Sequence, residues 1–208
     1  MKTVLKAVLV CIPVLYSGFS MADDSAALKQ QLTKIDGLKA EFSQTVTDLN
    51  DKVIQQGKGD FALAYPNQLY WHLTEPDESL IVADGKNLWV YNPFAEEVTL
   101  MNVDQAIKAS PIALLVHRDD KTWSQYVVSK IDNCYKVKPK ATDAGVVGVK
   151  LCFKDNLLTQ FSLDDNQGNH SLFTLKDQHA LTQADHKVFN FKVPENVDVD
   201  DQRAPAVE

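Results

Sequence analysis

Apolar residues along this chain recur at two spacings, and each change of spacing marks a new element. Leu28, Leu32 and Ile35 fall at i, i+4 and i+7, which makes one stripe of a helix. Asp24 or Ser25 supplies its cap and Gly37 its stop. Beyond Gly37 the period falls to two. Leu38, Ala40, Phe42 and Val46 alternate with Lys39, Glu41 and Ser43, which predicts a half-buried strand. Asn50-Asp51 turns the chain, and Phe61, Leu63 and Tyr65 alternate with alanines in the next strand. Gly57-Lys58-Gly59, just before that run, marks a bulge or bend. After the Pro66-Asn67 turn, Leu69, Trp71 and Leu73 alternate with Tyr70 and His72.

The stretch 76–94 organises the pattern. Two short apolar runs, 80–83 and 88–91, flank Asp84-Gly85, a tight-turn pair in which glycine accepts the positive φ. Pro76 and Pro93 bracket the unit. Both runs are apolar at nearly every residue, so both faces of this hairpin must meet apolar material. A short strand over 98–101 follows.

Helical spacing then returns. Residues 104–109 read as one short segment, and Ser110-Pro111 opens a second that carries Ile112, Leu115 and Val116 and ends near His117-Arg118. Strands resume over 126–130, 134–139, 146–153, 157–163 and 171–175. Val188, Asn190 and Lys192 alternate with Phe189, Phe191 and Val193 in the last one, and the tail from Pro194 is polar and acidic. The expected fold is mainly β with a few helices. About ten or eleven antiparallel strands form a strongly curved sheet or incomplete β-barrel, closed by a lid of short helices over its concave face.

The first 22 residues read as an export signal. Lys2 and Lys6 precede the apolar run 7–16, and Ser20-Met21-Ala22 has small residues at the positions that flank a signal-peptidase cut. Cleavage after Ala22 leaves 186 of the 208 residues, enough for one domain over 23–208. It also moves the formal net charge from -7 to -9. That balance argues against nucleic acid or an anionic membrane surface as partner.

Of the three cysteines, Cys134 and Cys152 fall in the mature chain. If Cys134 faces Cys152, then Lys136 faces Lys150 and Val137 faces Val149. That register gathers Tyr135, Val137, Val149, Leu151 and Phe153 on one apolar face. A disulfide in an oxidising compartment is the favoured expectation, with two free thiols on the polar face as the alternative.

Catalytic and metal-binding patterns are missing. The five histidines (His72, His117, His170, His179, His186) form no zinc-protease spacing, and there is no nucleophile elbow or phosphate-cradling loop. Asp119-Asp120 and Asp200-Asp201 read as solvated surface. The expectation is no enzyme, no cofactor and no metal. What stands out is the cluster Phe42, Phe61, Leu69, Trp71, Trp89, Tyr91 and Phe94. Two readings stay open for it: an ordinary core, or the lining of a container for something apolar.

The order of short motifs adds to this. Phe42-Ser43-Gln44, Gly57-Lys58-Gly59-Asp60, Pro66-Asn67, Trp71-His72, Pro76-Asp77-Glu78-Ser79, Asp84-Gly85-Lys86, Leu88-Trp89, Tyr91-Asn92-Pro93-Phe94 and Val199-Asp200-Asp201-Gln202-Arg203 run in sequence over the mature chain. Together they resemble the LolA family, the periplasmic outer-membrane lipoprotein carriers of Gram-negative bacteria. The resemblance implies an incomplete barrel lidded by short helices over an apolar cavity. It also implies lipoprotein cargo, loading by an inner-membrane ABC transporter complex and delivery to an outer-membrane receptor lipoprotein, with the carrier a monomer.

By position, Leu28, Leu32 and Ile35 would line the first lid helix, and Ile112 and Leu115 the helix after Pro111. Phe42, Val46, Leu69, Trp71 and Leu73 would lie on the sheet's inner face. Many relatives carry an arginine just before the proline at position 66, thought to hold the lid closed. Here Tyr65 stands in that place and becomes the latch candidate, with one donor instead of five and a looser closed state expected. A periplasmic lipid sensor of the same fold is the competing expectation. A lipid-acting enzyme would need a nucleophile and base that the sequence does not supply.

Overall fold

The computed structural model describes residues 24–103, 105, 114–141 and 146–203. The export signal expected over 1–22 lies outside them, as do Ile112 and most of the first predicted mid-chain helix. Helix α1 (Asp24–Leu32) opens the described chain. Eleven strands then follow as two meanders, β1 to β6 and β7 to β11: β1 (Gly37–Thr47), β2 (Val53–Ala64), β3 (Gln68–Glu75), β4 (Ser79–Asp84), β5 (Asn87–Asn92), β6 (Glu97–Asn102), β7 (Tyr126–Ile131), β8 (Cys134–Pro139), β9 (Val146–Lys154), β10 (Leu157–Asp165) and β11 (His170–His179). A short helix, α2 (Asp120–Trp123), precedes β7, and β12 (Asp198–Asp201) is the last strand among the described residues.

All twelve strands share one sheet in the order β12-β6-β5-β4-β3-β2-β1-β11-β10-β9-β8-β7. The sheet curves but does not close, because β12 and β7 are its two edges. Each neighbouring pair is antiparallel except β12, which runs parallel to β6.

Three local features explain the register. At Asp84-Gly85, Gly85 takes φ 103°. The Asp84 carboxylate accepts from the amides of Lys86 (2.9 Å) and Asn87 (2.8 Å) and from Trp89 Nε1 (3.2 Å). Partial burial pushes the Asp84 carboxyl up, but these hydrogen bonds outweigh it and leave the group below the usual carboxylate range. The β2–β3 register slips between Lys58 and Gly59, the bulge that the glycine pair predicts. There the ring of Phe42 lies over Gly59, where any side chain would run into the His72 carbonyl. Cys134 faces Cys152 and Val137 faces Val149, the register read from the alternation. The two cysteines are joined, with S–S 2.08 Å and Cα–Cα 4.0 Å.

The apolar second face of the 76–94 unit is covered by the C-terminal arm. Phe189 is fully buried against Ala62 and Ala64, with Tyr70, Leu181 and Val188 around it. Phe191 lies 5.6 Å from Trp89 and 6.0 Å from Tyr91.

The structure corrects four expectations. The strand expected over 188–193 is a 3-10 turn (Asp185–Phe189) followed by irregular chain. The arm lies on the sheet without pairing: Phe189 is buried, Phe191 half-buried and Val193 exposed. Helix α1 stops at Leu32 rather than Gly37, and Ile35 is buried from the link instead. Tyr65 lies in the turn after β2 and is 48% exposed. Strand β12 was not expected: every residue in it is exposed, so it carries no apolar alternation. Asp119 is exposed, as expected, and also caps α2 by accepting from the Thr122 amide at 2.9 Å.

Candidate functional site

The inner face of the sheet is a continuous apolar floor. Pairing aligns Ala40, Phe61, Trp71 and Ile81 in one row across β1–β4, and Leu38, Leu63, Leu69, Ala83 and Leu88 in the next across β1–β5. Because side chains alternate across a strand, each row faces one side. At the centre the Trp71 ring packs edge-on against Phe173 (4.6 Å), Phe42 (5.4 Å) and Phe161 (5.5 Å). Phe161 stacks on Phe173 at 4.6 Å.

Coverage of this floor is uneven. On the β7–β11 side Val137, Val149, Leu151, Phe161 and Phe173 are buried, and α1 packs its Leu28 and Leu32 into the same core. On the β3–β5 side Trp71, Leu73, Ile81, Leu88 and Val90 are only half-buried. The second side is a half-buried apolar surface, and α1 packs at the opposite side of the sheet, against β7.

Of the residues expected to line a cavity, Leu28, Leu32, Ile35, Phe42, Leu69 and Leu115 are buried in one core. Trp71 and Leu73 pack against that core from the half-buried side. Val46 is buried further along β1, outside the cluster. Ile81, Leu88 and Val90 join the floor although alternation alone left their facing undecided.

Helix α1 is held down by polar contacts at its ends. Arg118 Nη2 donates to the carbonyls of Leu32 and Ile35, both at 2.8 Å. These are carbonyls at or just past the helix C-terminus, where a cation also meets the favourable end of the helix dipole. The guanidinium lies over the Tyr65 ring, 4.3 Å from its centroid. Tyr65 therefore takes part through its ring, and Arg118 supplies the donors. Neighbouring contacts fix the arginine. Asn67 N donates to Val116 O at 3.1 Å, and His117 Nδ1 lies 2.8 Å from Asn67 Oδ1. His117 Nε2 meets the Asp119 carboxylate. The Thr122 hydroxyl and amide, with a further contribution from His117, hold that carboxyl below the usual range.

At the N-terminal end of α1 the Lys130 amide donates to Asp24 Oδ2 at 2.9 Å, and Lys29 in its last turn pairs with Asp120 at 2.6 Å. The sequence reading missed Arg118. Its only signal there is a lone arginine after a helical stretch, and its partners are main-chain atoms more than eighty residues away.

Among the described residues no three of His, Cys, Asp and Glu gather as a metal site. An apolar floor and a helix held by a few polar contacts suit reversible storage of apolar matter. The family model described as "Outer membrane lipoprotein carrier protein LolA" matches residues 33–192, which span the floor, Arg118 and the covering arm. The chain belongs to the LolA family. Similar LolA-family relatives, each named outer-membrane lipoprotein carrier protein, are full-length matches. The Shewanella loihica protein is 61% identical over 96% of this chain and 97% of its own. The Shewanella woodyi protein is 58% identical over 100% of both. Superposition on the solved structure of a LolA superfamily protein from Nitrosomonas europaea gives a TM-score of 0.48 at 13% identity, over 80% of this chain and 97% of that one. The family assignment rests on the sequence matches.

Proposed function

We infer that this chain is a lipoprotein carrier of the periplasm. Residues 23–208 act as one domain after removal of the export signal. It takes lipoproteins released from the inner membrane by an ABC transporter complex, shelters their acyl chains, and hands them to a receptor lipoprotein at the outer membrane. The observation that carries the reading is the half-buried floor of Trp71, Leu73, Ile81, Leu88 and Val90, continuous with a core onto which a helix is held by a few polar contacts.

The physical need is large. Each buried methylene is worth about 0.8 kcal/mol, so one long acyl chain in water costs on the order of 10 kcal/mol. Shelter without catalysis meets that need, and the carrier itself uses no nucleotide, metal or cofactor. Release must also be feasible. Many weak apolar contacts under a cover held by a few hydrogen bonds allow it. A tight polar pocket would oppose it.

The test is a release assay. Spheroplasts making a labelled outer-membrane lipoprotein are incubated with the purified mature chain. The reading expects soluble lipoprotein bound near one-to-one. No release by a folded chain with a matched transporter present contradicts it.

A further inference from the structure

Phe94 is 96% exposed, the most exposed large apolar side chain among the described residues. The turn that carries it is fixed. Asn92 Oδ1 accepts from the amides of Phe94 (3.1 Å) and Ala95 (3.2 Å), and Glu96 N donates to Pro93 O at 3.3 Å. Pro93 and the positive φ of Glu96 (51°) complete the turn. Leu49, the next most exposed, lies against the turn at Gly168. Phe94 makes no ring contact with another aromatic among the described residues. A backbone-fixed turn thus presents an aromatic side chain to water.

Its surroundings are acidic. The Asp198 amide donates to Glu96 O at 3.0 Å, and β12 then runs parallel to β6, pairing Asp198 with Glu97 and Asp200 with Thr99. Glu96, Glu97, Asp198 and Asp200 are all exposed. Among the described residues none of the four has an ion-pair partner, whereas Asp201 is taken by Arg203 at 2.5 Å. Strand direction sets the position. Tyr65 and Arg118 sit at the β2–β3 end of the sheet, and the 93–96 turn sits at the opposite end.

We propose that the 93–96 turn is a docking knob for a partner protein whose apolar pocket, rimmed by lysine or arginine, receives the Phe94 ring. An aromatic anchor on a fixed turn suits such a pocket because little backbone freedom is lost on binding and the side chain has only two torsions to order. The acidic collar complements a basic rim and repels an anionic lipid surface. Docking at this end leaves the Arg118 contacts untouched, so a partner can hold the carrier without forcing α1 open. The proposal rests on the carrier reading, since a shuttle must dock on a membrane-bound protein at each end of its route.

The test compares the mature chain with Phe94→Ala and with a Glu96→Gln/Glu97→Gln variant. Each is sedimented with bacterial membrane vesicles that keep their integral proteins, and with liposomes of the lipid extracted from them. Uptake of a fluorescent fatty acid is measured in parallel. The unaltered chain is expected to bind the vesicles, less so as salt rises, and not the liposomes. Phe94→Ala should weaken vesicle binding by about tenfold or more with fatty-acid uptake and melting temperature unchanged. The glutamine variant should flatten the salt dependence. No vesicle binding by the unaltered chain, equal binding to liposomes, or unchanged affinity in Phe94→Ala would overturn the proposal. Failure of fatty-acid uptake by the unaltered chain, with vesicle binding intact, would instead count against the carrier reading.

Discussion

Arg118 spans two parts of the molecule that lie far apart in sequence. Its guanidinium lies over the Tyr65 ring and donates to the carbonyls of Leu32 and Ile35. One side chain therefore ties the C-terminal end of α1 to the β2–β3 turn. The arginine side chain is only 11% exposed, so these hydrogen bonds compete weakly with water.

Removing Arg118 should loosen α1 specifically. Arg118→Ala leaves two carbonyls without their donor, and hydrogen bonds to a charged group are worth about 1.5–3 kcal/mol. Amide hydrogen exchange in α1 is expected to speed up by tenfold or more, with β8–β10 unchanged. Tyr65→Leu should give a smaller increase, because it removes the ring but keeps the donors. Equal exchange in all three chains contradicts the latch.

The floor separates binding from stability. Leu73 is half-buried at its open side, so Leu73→Glu should cost little stability, about 1 kcal/mol or less. It should still abolish uptake of a fluorescent fatty acid, because a carboxylate would face the acyl chain. The control is Val82→Ala. Val82 is buried on the opposite face, so that change should lower the melting temperature and leave uptake intact.

How much of this was legible follows from physics. Alternation at Leu69, Trp71 and Leu73 exposed the inner face, because one side of a sheet meets apolar matter and the other meets water. The Cys134–Cys152 register was readable for the same reason. At 80–83 and 88–91 both faces are apolar and periodicity says nothing about which is inside. The answer lies in Phe189 and Phe191, whose own alternation imitates a strand. Arg118 was invisible because a side chain bound to main-chain carbonyls leaves no residue-type pattern at its partners. Strand β12 was invisible because an exposed edge needs no apolar face.

The covering arm should fail in acid. Asp185 accepts from the Thr182 hydroxyl (2.6 Å) and amide (2.9 Å) and pairs with Lys39 at 3.1 Å. These contacts, led by the Thr182 hydroxyl, hold its carboxyl far below the usual range. A depressed folded pKa means the stabilisation is complete above the unfolded value of about 3.9 and is lost as pH falls through the folded value. Stability measured by denaturant titration should therefore decline below about pH 4, and Asp185→Asn should lower the plateau and reduce that decline. Phe189→Ala should cost about 3–5 kcal/mol at neutral pH. An unaltered acid profile in Asp185→Asn would show that other carboxylates control it.

The Cys134–Cys152 bridge joins adjacent strands across 18 positions. Constraining a loop of that size stabilises by about 3 kcal/mol in the chain-entropy model. Replacing both cysteines by serine should lower stability by up to that amount and leave fatty-acid uptake unchanged, since the bridge lies on the face away from the floor. Loss of uptake in a folded double variant would place the bridge in the binding machinery.

The central claim is that acyl chains lie on the inner face of the sheet. The three tryptophans allow it to be read directly, because Trp71 sits on that face and Trp89 on the other, beneath Phe191. Two variants, each keeping one of these tryptophans, would be loaded with a brominated fatty acid and their fluorescence followed. Strong quenching of Trp71 with Trp89 unaffected is the result this account predicts. Quenching of Trp89 with Trp71 unaffected would contradict it.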